Sequence, residues 1–228
     1  MTMQATIDVI NETIRYTNWT VYRRMGRTFG NSVESEVADW VESCRLRGIE
    51  VRGIYDLRAF RGDADIMVWT HAPSAADIQH ALRMFERTTF GRAFTPQWSG
   101  MGMHRPAEFN RSHVPGFMLG AEPREWLCMY PFVRSYDWYL LPQDDRSRML
   151  VEHGAAGHKY AGIVSSTVAA FALGDYEWLL ALESSELHEI VDMMRELRYT
   201  EARRHVREEV PFFTGRRINL ETMGELFA

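Results

Sequence analysis

Lysine is nearly absent from the sequence. Of the 26 lysine and arginine residues only Lys159 is a lysine, and 31 aspartate and glutamate residues oppose them. The preference for arginine over lysine reflects the base composition of the genome. Arginine abundance alone is therefore weak evidence for an anion-binding surface. The formal net charge of −5 disfavours nonspecific binding to nucleic acid, and we expect no nucleic-acid partner.

Cysteine is also scarce, with only Cys44 and Cys128. The two residues are far apart in sequence, and neither has the spacing of a metal site. Cys128 falls in an apolar run, and Cys44 falls on the apolar face of a predicted helix. This placement favours two buried free thiols over a disulfide.

Long hydrophobic runs are missing as well. No apolar stretch approaches the roughly 18 to 20 residues that a membrane span requires. The first residues, MTMQATIDVINETIRY, lack the charged start and long apolar core of a secretion signal. We therefore expect a cytoplasmic protein without a membrane span. Its 228 residues suffice for one large domain or two small ones.

The first half of the sequence predicts six elements in the order βαββαβ. They are a strand at 16–23, a helix that Asn31 or Ser32 caps and Gly48 ends, strands at 49–60 and 65–71, a helix that Ser74 caps, and a strand at 97–103. This order is that of a ferredoxin-like unit.

The second half repeats that order weakly. Ala59-Phe60 followed by Gly62-Asp63 is echoed by Ala170-Phe171 followed by Gly174-Asp175, at an offset near 110 residues. Self-similarity at a near-constant offset indicates a duplicated module. We predict an α+β fold of two tandem ferredoxin-like modules forming a barrel-like subunit, a dimeric α+β barrel. The modules are predicted at 1–112 and at 113–228, and 105–122 joins them.

Two residue types in the second half are candidates for redox chemistry. Pro142 and the polar residues after it predict the start of a helix, and His153-Gly154 predict its end. A histidine in that last turn either interacts with the final backbone carbonyls or ligates iron. Tyr130, before Pro131, is either an ordinary strand aromatic or a redox-active phenol. The residue pattern by itself leaves both questions open.

Several motifs of the second half occur together in order. They are Met129-Tyr130-Pro131-Phe132, Asp137-Trp138-Tyr139, Glu152-His153-Gly154, His158-Lys159-Tyr160, Gly174-Asp175-Tyr176-Glu177-Trp178, Arg203 and Pro211-Phe212-Phe213. In these motifs the sequence resembles the actinobacterial type of coproheme decarboxylase, a branch of the chlorite dismutase-like superfamily.

The resemblance implies a hydrogen-peroxide-dependent haem synthase. Such an enzyme converts two propionates of coproheme, iron coproporphyrin III, into vinyl groups, and yields haem b and carbon dioxide in the last step of coproporphyrin-dependent haem biosynthesis. The coproheme iron is then both substrate and redox centre. The resemblance places the haem site in the module at 113–228 and no haem in the module at 1–112. It makes His153 the proximal iron ligand and Tyr130 the residue that is oxidised to a radical.

The resemblance also implies a set of substrate contacts. Arg134 is expected to hold a propionate by two parallel hydrogen bonds, or else to be a solvated strand-edge arginine. Trp138 is expected to form pocket wall with its indole N–H available to a propionate. Arg203 resembles a family arginine that meets propionates. Lys159 is a candidate for the rim of the site, and Trp178 for packing on the proximal side.

His113 is the predicted distal histidine. It lies in a Ser-His-x-Pro segment like the one in which actinobacterial coproheme decarboxylases place that residue, although a histidine in a linker is usually just exposed. In neutral form it could take a proton from peroxide and return it to the departing oxygen. Ser166 stands where another branch carries a distal glutamine, which favours His113.

Two other functions stay open at this stage. Chlorite dismutase shares the fold and the proximal histidine, but the retained Tyr130 and the lack of a clear distal arginine oppose it. A haem-binding or haem-delivery protein without turnover is the second alternative, because ligation does not establish catalysis. The resemblance further implies a homopentamer, and a transient contact with coproporphyrin ferrochelatase is a possible partnership.

Overall fold

The structure is a computed structural model that describes residues 2–26 and 33–227. The predicted helix cap at Asn31 or Ser32 lies outside these residues. Within them no helix is both long and apolar enough to cross a membrane. Both cysteines are buried thiols outside any disulfide, as predicted.

Six helices and nine strands make up the described chain. In order they are α1 (Met3–Glu12), β1 (Tyr16–Arg24), α2 (Val33–Leu46), β2 (Glu50–Asp56), β3 (Ile66–Ala72), α3 (Ala75–Phe85), β4 (Phe94–Met103), β5 (Trp126–Arg134), α4 (Gln143–Gly157), β6 (Val164–Ala169), β7 (Trp178–Ser184), α5 (Leu187–Leu197), β8 (Val206–Glu208), β9 (Phe213–Arg217) and α6 (Met223–Leu226). Short 3₁₀ helices occupy Gly91–Ala93, Gly116–Leu119, Trp138–Leu140, Glu201–His205 and Leu220–Thr222.

The chain forms two compact units, each built from two stretches of sequence. The first unit contains 14–103 and 213–228, and the second contains 1–13 and 104–212. Within each unit the elements from β1 to β4, and from β5 to β8, follow the predicted βαββαβ order. The α+β fold class is thereby confirmed, and the division of the chain at residues 112 and 113 stays a prediction.

In the first unit, five antiparallel strands lie in the order β4-β1-β3-β2-β9. Trp19 pairs with Trp69 across β1 and β3, and α2 and α3 pack their apolar stripes into the core of this unit. The Ser74 hydroxyl accepts a 3.2 Å hydrogen bond from the backbone N–H of Ala76, so the predicted cap of α3 is confirmed. Gly48, at φ +75°, follows α2 in a conformation that only glycine adopts readily.

In the second unit, four antiparallel strands lie in the order β6-β7-β5-β8. The register of β5 on β7 sets Tyr130 opposite Leu180 and Phe132 opposite Trp178. Helix α5 covers the sheet with Ile190 and other apolar residues that pack around Tyr130. The candidate site is built on β5, α4 and the segments that follow them.

The predicted repeat is visible in the backbone. In the first unit the N–H of Leu57 donates to the carbonyl of Asp65, and Ala59 has a φ of +71°. In the second unit the N–H of Ala170 donates to the carbonyl of Glu177, and Ala172 has a φ of +63°. Left-handed conformation is unusual for alanine, so its occurrence at equivalent turns supports duplication of one module.

Two predicted boundaries were wrong. Helix α4 does not end at His153-Gly154 but continues to Gly157, because Gly154 keeps a helical backbone and alanines follow it. The strand predicted at 49–60 is shorter, since β2 ends at Asp56 and a turn follows. Helix α1 was not predicted at all.

Candidate active site

His153 lies near the C-terminal end of α4 and is half-buried. Its Nδ1 is 3.2 Å from Oγ1 of Thr200, and that hydroxyl donates its only proton to the carbonyl of Leu197 at 3.0 Å. The contact must therefore be an Nδ1–H of His153 donating to Thr200. This fixes the tautomer with a lone pair on Nε2, which is the arrangement of a metal-ligating histidine with its supporting acceptor.

The surroundings of His153 keep it neutral. Burial, followed by the nearby Arg134 and His113, lowers its pKa from 6.5 to about 4, against the opposing effect of Glu152. A neutral imidazole is the form that binds iron.

Arg134 ends β5 with its guanidinium against two rings. The guanidinium carbon is 4.2 Å from the Trp138 ring centroid and 5.0 Å from that of Phe132. Burial lowers the pKa of Arg134 to about 10, partly offset by Tyr139 and Glu177, so the group is still charged at neutral pH. Its guanidinium makes no hydrogen bond or ion pair with any residue in the described ranges. A cation in such surroundings is costly until an anion accompanies it.

Trp138 is buried, as the prediction of pocket wall requires. It packs with Met149 of α4 and with Ala202 in a small apolar cluster. Its indole N–H donates to no residue of 2–26 or 33–227 in the structure. Arg134 covers one face of the indole ring, whereas the indole N–H is available to an acceptor on a bound ligand.

Tyr130 is buried in the middle of β5. Its ring stacks on Phe212, with centroids 4.6 Å apart and planes 21° apart, and its hydroxyl donates to Sδ of Met194 at 3.4 Å. Burial raises the pKa of the phenol, and negative charge on Cys128 or Glu209 would raise it further. The phenol is thus held protonated beside a thioether, a weak acceptor.

A network around Glu177 was not predicted. One oxygen of this carboxylate accepts from the Arg134 backbone N–H and from the Tyr139 hydroxyl, each at 2.9 Å. The indole N–H of Trp178 donates to the same Tyr139 hydroxyl at 3.0 Å. The Trp178 ring also lies 6.1 Å from Phe132 and nearly parallel to it. Trp178 therefore supports the strand end that carries Arg134, and its own donor is already used.

His113 lies in the segment between β4 and β5 and is exposed. Partial shielding of the ring from solvent lowers its pKa by desolvation, and the nearby His158 lowers it further. A neutral His113 can accept a proton, as the predicted distal role requires. Ser166 is fully buried and accepts a 3.4 Å hydrogen bond from the backbone of Phe117, so its hydroxyl supports the segment after His113.

Arg203 and Lys159 have carboxylate partners already. Arg203 donates to Glu209 at 2.8 Å, on the same oxygen that Arg198 contacts. Lys159 is exposed and pairs with Glu196 of α5. The structure brings Arg134, Trp138 and His153 together. Arg203 and Lys159, in contrast, are each paired with a glutamate, and their roles as substrate contacts stay predictions.

Comparison with known proteins identifies the family. A sequence model of the chlorite dismutase family matches residues 30–218. The chain belongs to the chlorite dismutase family. One relative of this family member is the coproheme decarboxylase of Mycolicibacterium smegmatis, 51% identical over 220 residues that cover 95% of each chain.

Solved structures confirm the fold of this chlorite dismutase family member. A variant of chlorite dismutase from Candidatus Nitrospira defluvii superimposes with a TM-score of 0.81 at 24% identity, over 94% of this chain and 95% of the other. The imidazole complex of the same enzyme gives a TM-score of 0.81 at 22% identity, over 93% and 94%. At such identities the likeness concerns the fold alone.

Proposed function

We propose that this chlorite dismutase family member is a hydrogen-peroxide-dependent coproheme decarboxylase. The observation that carries the proposal is the presence in one site of a neutral His153, with a lone pair on Nε2, and a charged Arg134 whose guanidinium has no ion-pair partner among the described residues. A ligand that satisfies both groups carries a metal ion and a carboxylate. The 51% identical coproheme decarboxylase of M. smegmatis supports iron coproporphyrin III as that ligand.

The described residues fit an iron that arrives inside a macrocycle. No group of three or more His, Cys, Asp or Glu side chains in 2–26 and 33–227 is arranged to hold a bare metal ion. A porphyrin supplies four nitrogen ligands itself, so one axial imidazole is sufficient. His153 would supply that ligand, and the half-buried ring of Phe132 offers apolar surface beside Arg134.

The proposed reaction balances with one peroxide for each propionate. The propionate loses its carboxylate as carbon dioxide and one hydrogen from the carbon nearer the ring, and a vinyl group remains. The two electrons and the one proton released, together with one proton from solvent, reduce one hydrogen peroxide to two water molecules. Two such rounds yield haem b, two carbon dioxide and four water molecules, and the substrate iron supplies the redox chemistry when it is bound.

Tyr130 would relay oxidation to the propionate. Its phenol loses an electron and a proton, then recovers both as a hydrogen atom from the propionate carbon. The second electron leaves as the carboxylate departs as carbon dioxide. Because the Met194 thioether is not a base, the phenol proton needs an acceptor that arrives with the substrate. Burial of Tyr130 limits competing reactions with solvent.

His113 would act on the peroxide. Its lowered pKa leaves the imidazole neutral near pH 7, so it can take a proton from peroxide and return it to the departing oxygen. Arg134 and Trp138 would hold a propionate through the guanidinium and the indole N–H. Arg203 would add a second contact by donating to a propionate while it keeps its bond to Glu209. Lys159 is proposed as a residue at the rim of the site.

The test is a mass measurement on the purified protein loaded with coproheme. Stepwise additions of hydrogen peroxide should remove two carboxyl groups in sequence and release carbon dioxide, with haem b as the final pigment. Unchanged pigment would identify a haem-binding or delivery protein instead. Oxygen release on adding chlorite, without decarboxylation, would identify a chlorite dismutase.

The assembly, its setting and its contacts belong to the same proposal. We propose a homopentamer in the cytoplasm that makes transient contact with coproporphyrin ferrochelatase. Light scattering on the purified protein would give the subunit number, and any value other than five would contradict the first part. Cell fractionation tests the location, and a binding titration with purified ferrochelatase, with and without coproheme, tests the contact.

A further inference from the structure

Helix α1 packs against the segment that carries His113. Ile7 and Ile10 on one face of the helix are buried in a small apolar cluster with Val114, and Met118 packs against the same cluster. Val114 is the residue directly after His113. The helix therefore contacts the backbone immediately beside the predicted distal histidine.

Asn11 extends this contact with hydrogen bonds. It is only 8% exposed, and its Nδ2 donates to the backbone carbonyl of Arg111 at 2.8 Å. Its Oδ1 lies 3.2 Å from Nε2 of His104, which is 1% exposed. Asn11 thus bridges the start of the segment, at His104, and a point two residues before His113.

The direction of both bonds follows from the groups involved. Only the amide NH₂ of Asn11 can donate to the Arg111 carbonyl, so its Oδ1 must accept from His104. His104 then carries its proton on Nε2. Burial lowers the pKa of His104, as does the adjacent charge of Arg105, which keeps the ring neutral. The bridge therefore has one arrangement rather than two.

The segment is also held from the side of α4. Arg146 donates to Glu108 at 2.8 Å, and its guanidinium carbon lies 5.4 Å from the Phe109 ring centroid. The backbone N–H of His113 donates to the carbonyl of Asn110 at 2.9 Å. In contrast, the His113 imidazole makes no hydrogen bond with any residue that the structure describes. The position of the ring therefore depends on how firmly its backbone is held.

We propose that Asn11 is a positioning residue for His113 in the peroxide step. The inference rests on the proposed function, because a fixed backbone at His113 matters only if that imidazole acts on a bound reactant. Asn11 acts through the Arg111 carbonyl, and His104 holds the Asn11 amide in the orientation that reaches it. A base displaced by about 1 Å can lose about a hundred-fold in rate.

The test compares Asn11 variants with and without His113. Asn11→Ala removes both bonds, and Asn11→Asp keeps an acceptor for His104 but loses the donor to Arg111. Gln4→Ala is the matched control, because Gln4 is exposed on the same helix and its side chain bonds Asp8 and no other described residue. Each change is made in the native protein and in His113→Ala, and stopped flow gives the rate of the peroxide step on the coproheme complex.

Both Asn11 variants should slow that step by about ten- to a hundred-fold when His113 is present. In the His113→Ala background they should change it by less than about two-fold, because the base they position is gone. Gln4→Ala should match the native rate in both backgrounds. An equal slowing in both backgrounds would mean a merely structural role and would overturn the inference, as would no slowing at all.

Two further measurements keep the outcomes separate. Val114→Ala loosens the apolar contact with α1 but leaves the Asn11 hydrogen bonds in place. It should slow the same step only when His113 is present. It replaces Asn11→Ala if that variant does not fold.

If native protein decarboxylates coproheme but His113→Ala keeps the native rate, the distal role and this inference both fail while the proposed function stands. If native protein leaves coproheme unchanged, the proposed function fails. In that case the inference stands only if peroxide still reacts with the coproheme complex and the Asn11 variants slow that reaction in native protein but not in His113→Ala. Any other result would overturn the inference too.

Discussion

The hydroxyl of Tyr130 donates to the sulfur of Met194 at 3.4 Å, and no carboxylate or imidazole takes that position. The strand residue and the α5 residue form a contact that shields the phenol without offering it a base. Burial raises the pKa of the phenol as well. Oxidation of Tyr130 by loss of an electron alone is thereby disfavoured, and its proton must leave with the electron.

Replacing Tyr130 with Phe tests this reading. The ring should keep its stacking on Phe212, so coproheme should still bind, but decarboxylation should fall by more than about a thousand-fold because the O–H is gone. Mass spectra after peroxide addition measure the conversion. Tyr160→Phe, in the same apolar cluster, is the control and should remain active. Full conversion to haem b by Tyr130→Phe would contradict the relay.

His153→Ala should remove the axial ligand. The visible spectrum of the coproheme complex should change, and the resonance Raman iron–imidazole signal should disappear. His188→Ala, at an exposed histidine beside Glu186, should leave both unchanged. A variant spectrum identical to that of the native protein would exclude His153 as the ligand.

Thr200 should tune that ligand, because it accepts the Nδ1–H of His153. Thr200→Val keeps the shape of the side chain but removes the acceptor, so the imidazole becomes a weaker donor to iron. We expect the iron–imidazole Raman frequency to fall and the decarboxylation rate to drop by about 10- to 100-fold. Thr200→Ser, which keeps the hydroxyl, should restore both. An unshifted Raman signal in Thr200→Val would remove Thr200 from the site.

Arg134 should determine the affinity for coproheme carboxylates. Arg134→Gln should weaken binding by about 10- to 100-fold, because a charge-assisted hydrogen bond contributes about 1.5 to 3 kcal/mol. Arg134→Lys should fall between the two, since it keeps the charge but not the flat contact with Trp138. Arg148→Gln, at an exposed pair with Glu201, is the control. Titrations followed at the Soret band give the affinities, and equal values for all four proteins would contradict the assignment.

His71, in the first unit, should make stability depend on pH. It is buried and accepts from Arg15 at 3.0 Å, and burial followed by the charges of Arg15 and Arg52 lowers its pKa from 6.5 to about 3. The unfolded chain therefore binds the proton first as the pH falls. Because of this proton uptake by His71 in the unfolded chain, the free energy of unfolding should drop by about 2 kcal/mol between pH 7 and pH 5.

The matching variant is His71→Gln, which keeps an acceptor for Arg15 but cannot titrate. Urea unfolding of the apoprotein at pH 7 and pH 5 should show a drop that is smaller by about 2 kcal/mol than in the native chain. His188→Gln, at an exposed histidine, should preserve the native drop. An identical pH dependence for native protein and His71→Gln would contradict the pKa assigned to His71.

The sequence predicted elements well where local patterns were strong, as at the Ser74 cap and the Gly48 stop. It misplaced the end of α4 because one glycine inside a helix costs only about 1 kcal/mol relative to alanine. Ala155 and Ala156, which follow Gly154, continue the helix to Gly157. A glycine by itself therefore does not define a helix end.

The residues that support the candidate site could not be predicted from local sequence patterns. Glu177 meets Tyr139 from 38 residues away and Arg134 from 43, so nothing in the neighbouring sequence indicates the network. Thr200 reaches His153 from 47 residues away in the same manner. Helix α1 gave a weak signal because its face toward Val114 is short and carries the polar Asn11. These contacts depend on tertiary packing.

The ion pair of Lys159 with Glu196 has a practical consequence. Lys159 is the only lysine in the 228 residues, and its side chain is 64% exposed. Once the α-amino group has been blocked near neutral pH, where its lower pKa makes it the more reactive amine, amine-directed coupling would place a fluorophore on one known side chain, a few residues after α4, the helix that carries His153. Porphyrins absorb strongly in the visible range, so arrival of coproheme should quench that emission. The chain thus has a single lysine side chain for following substrate entry and product departure by energy transfer.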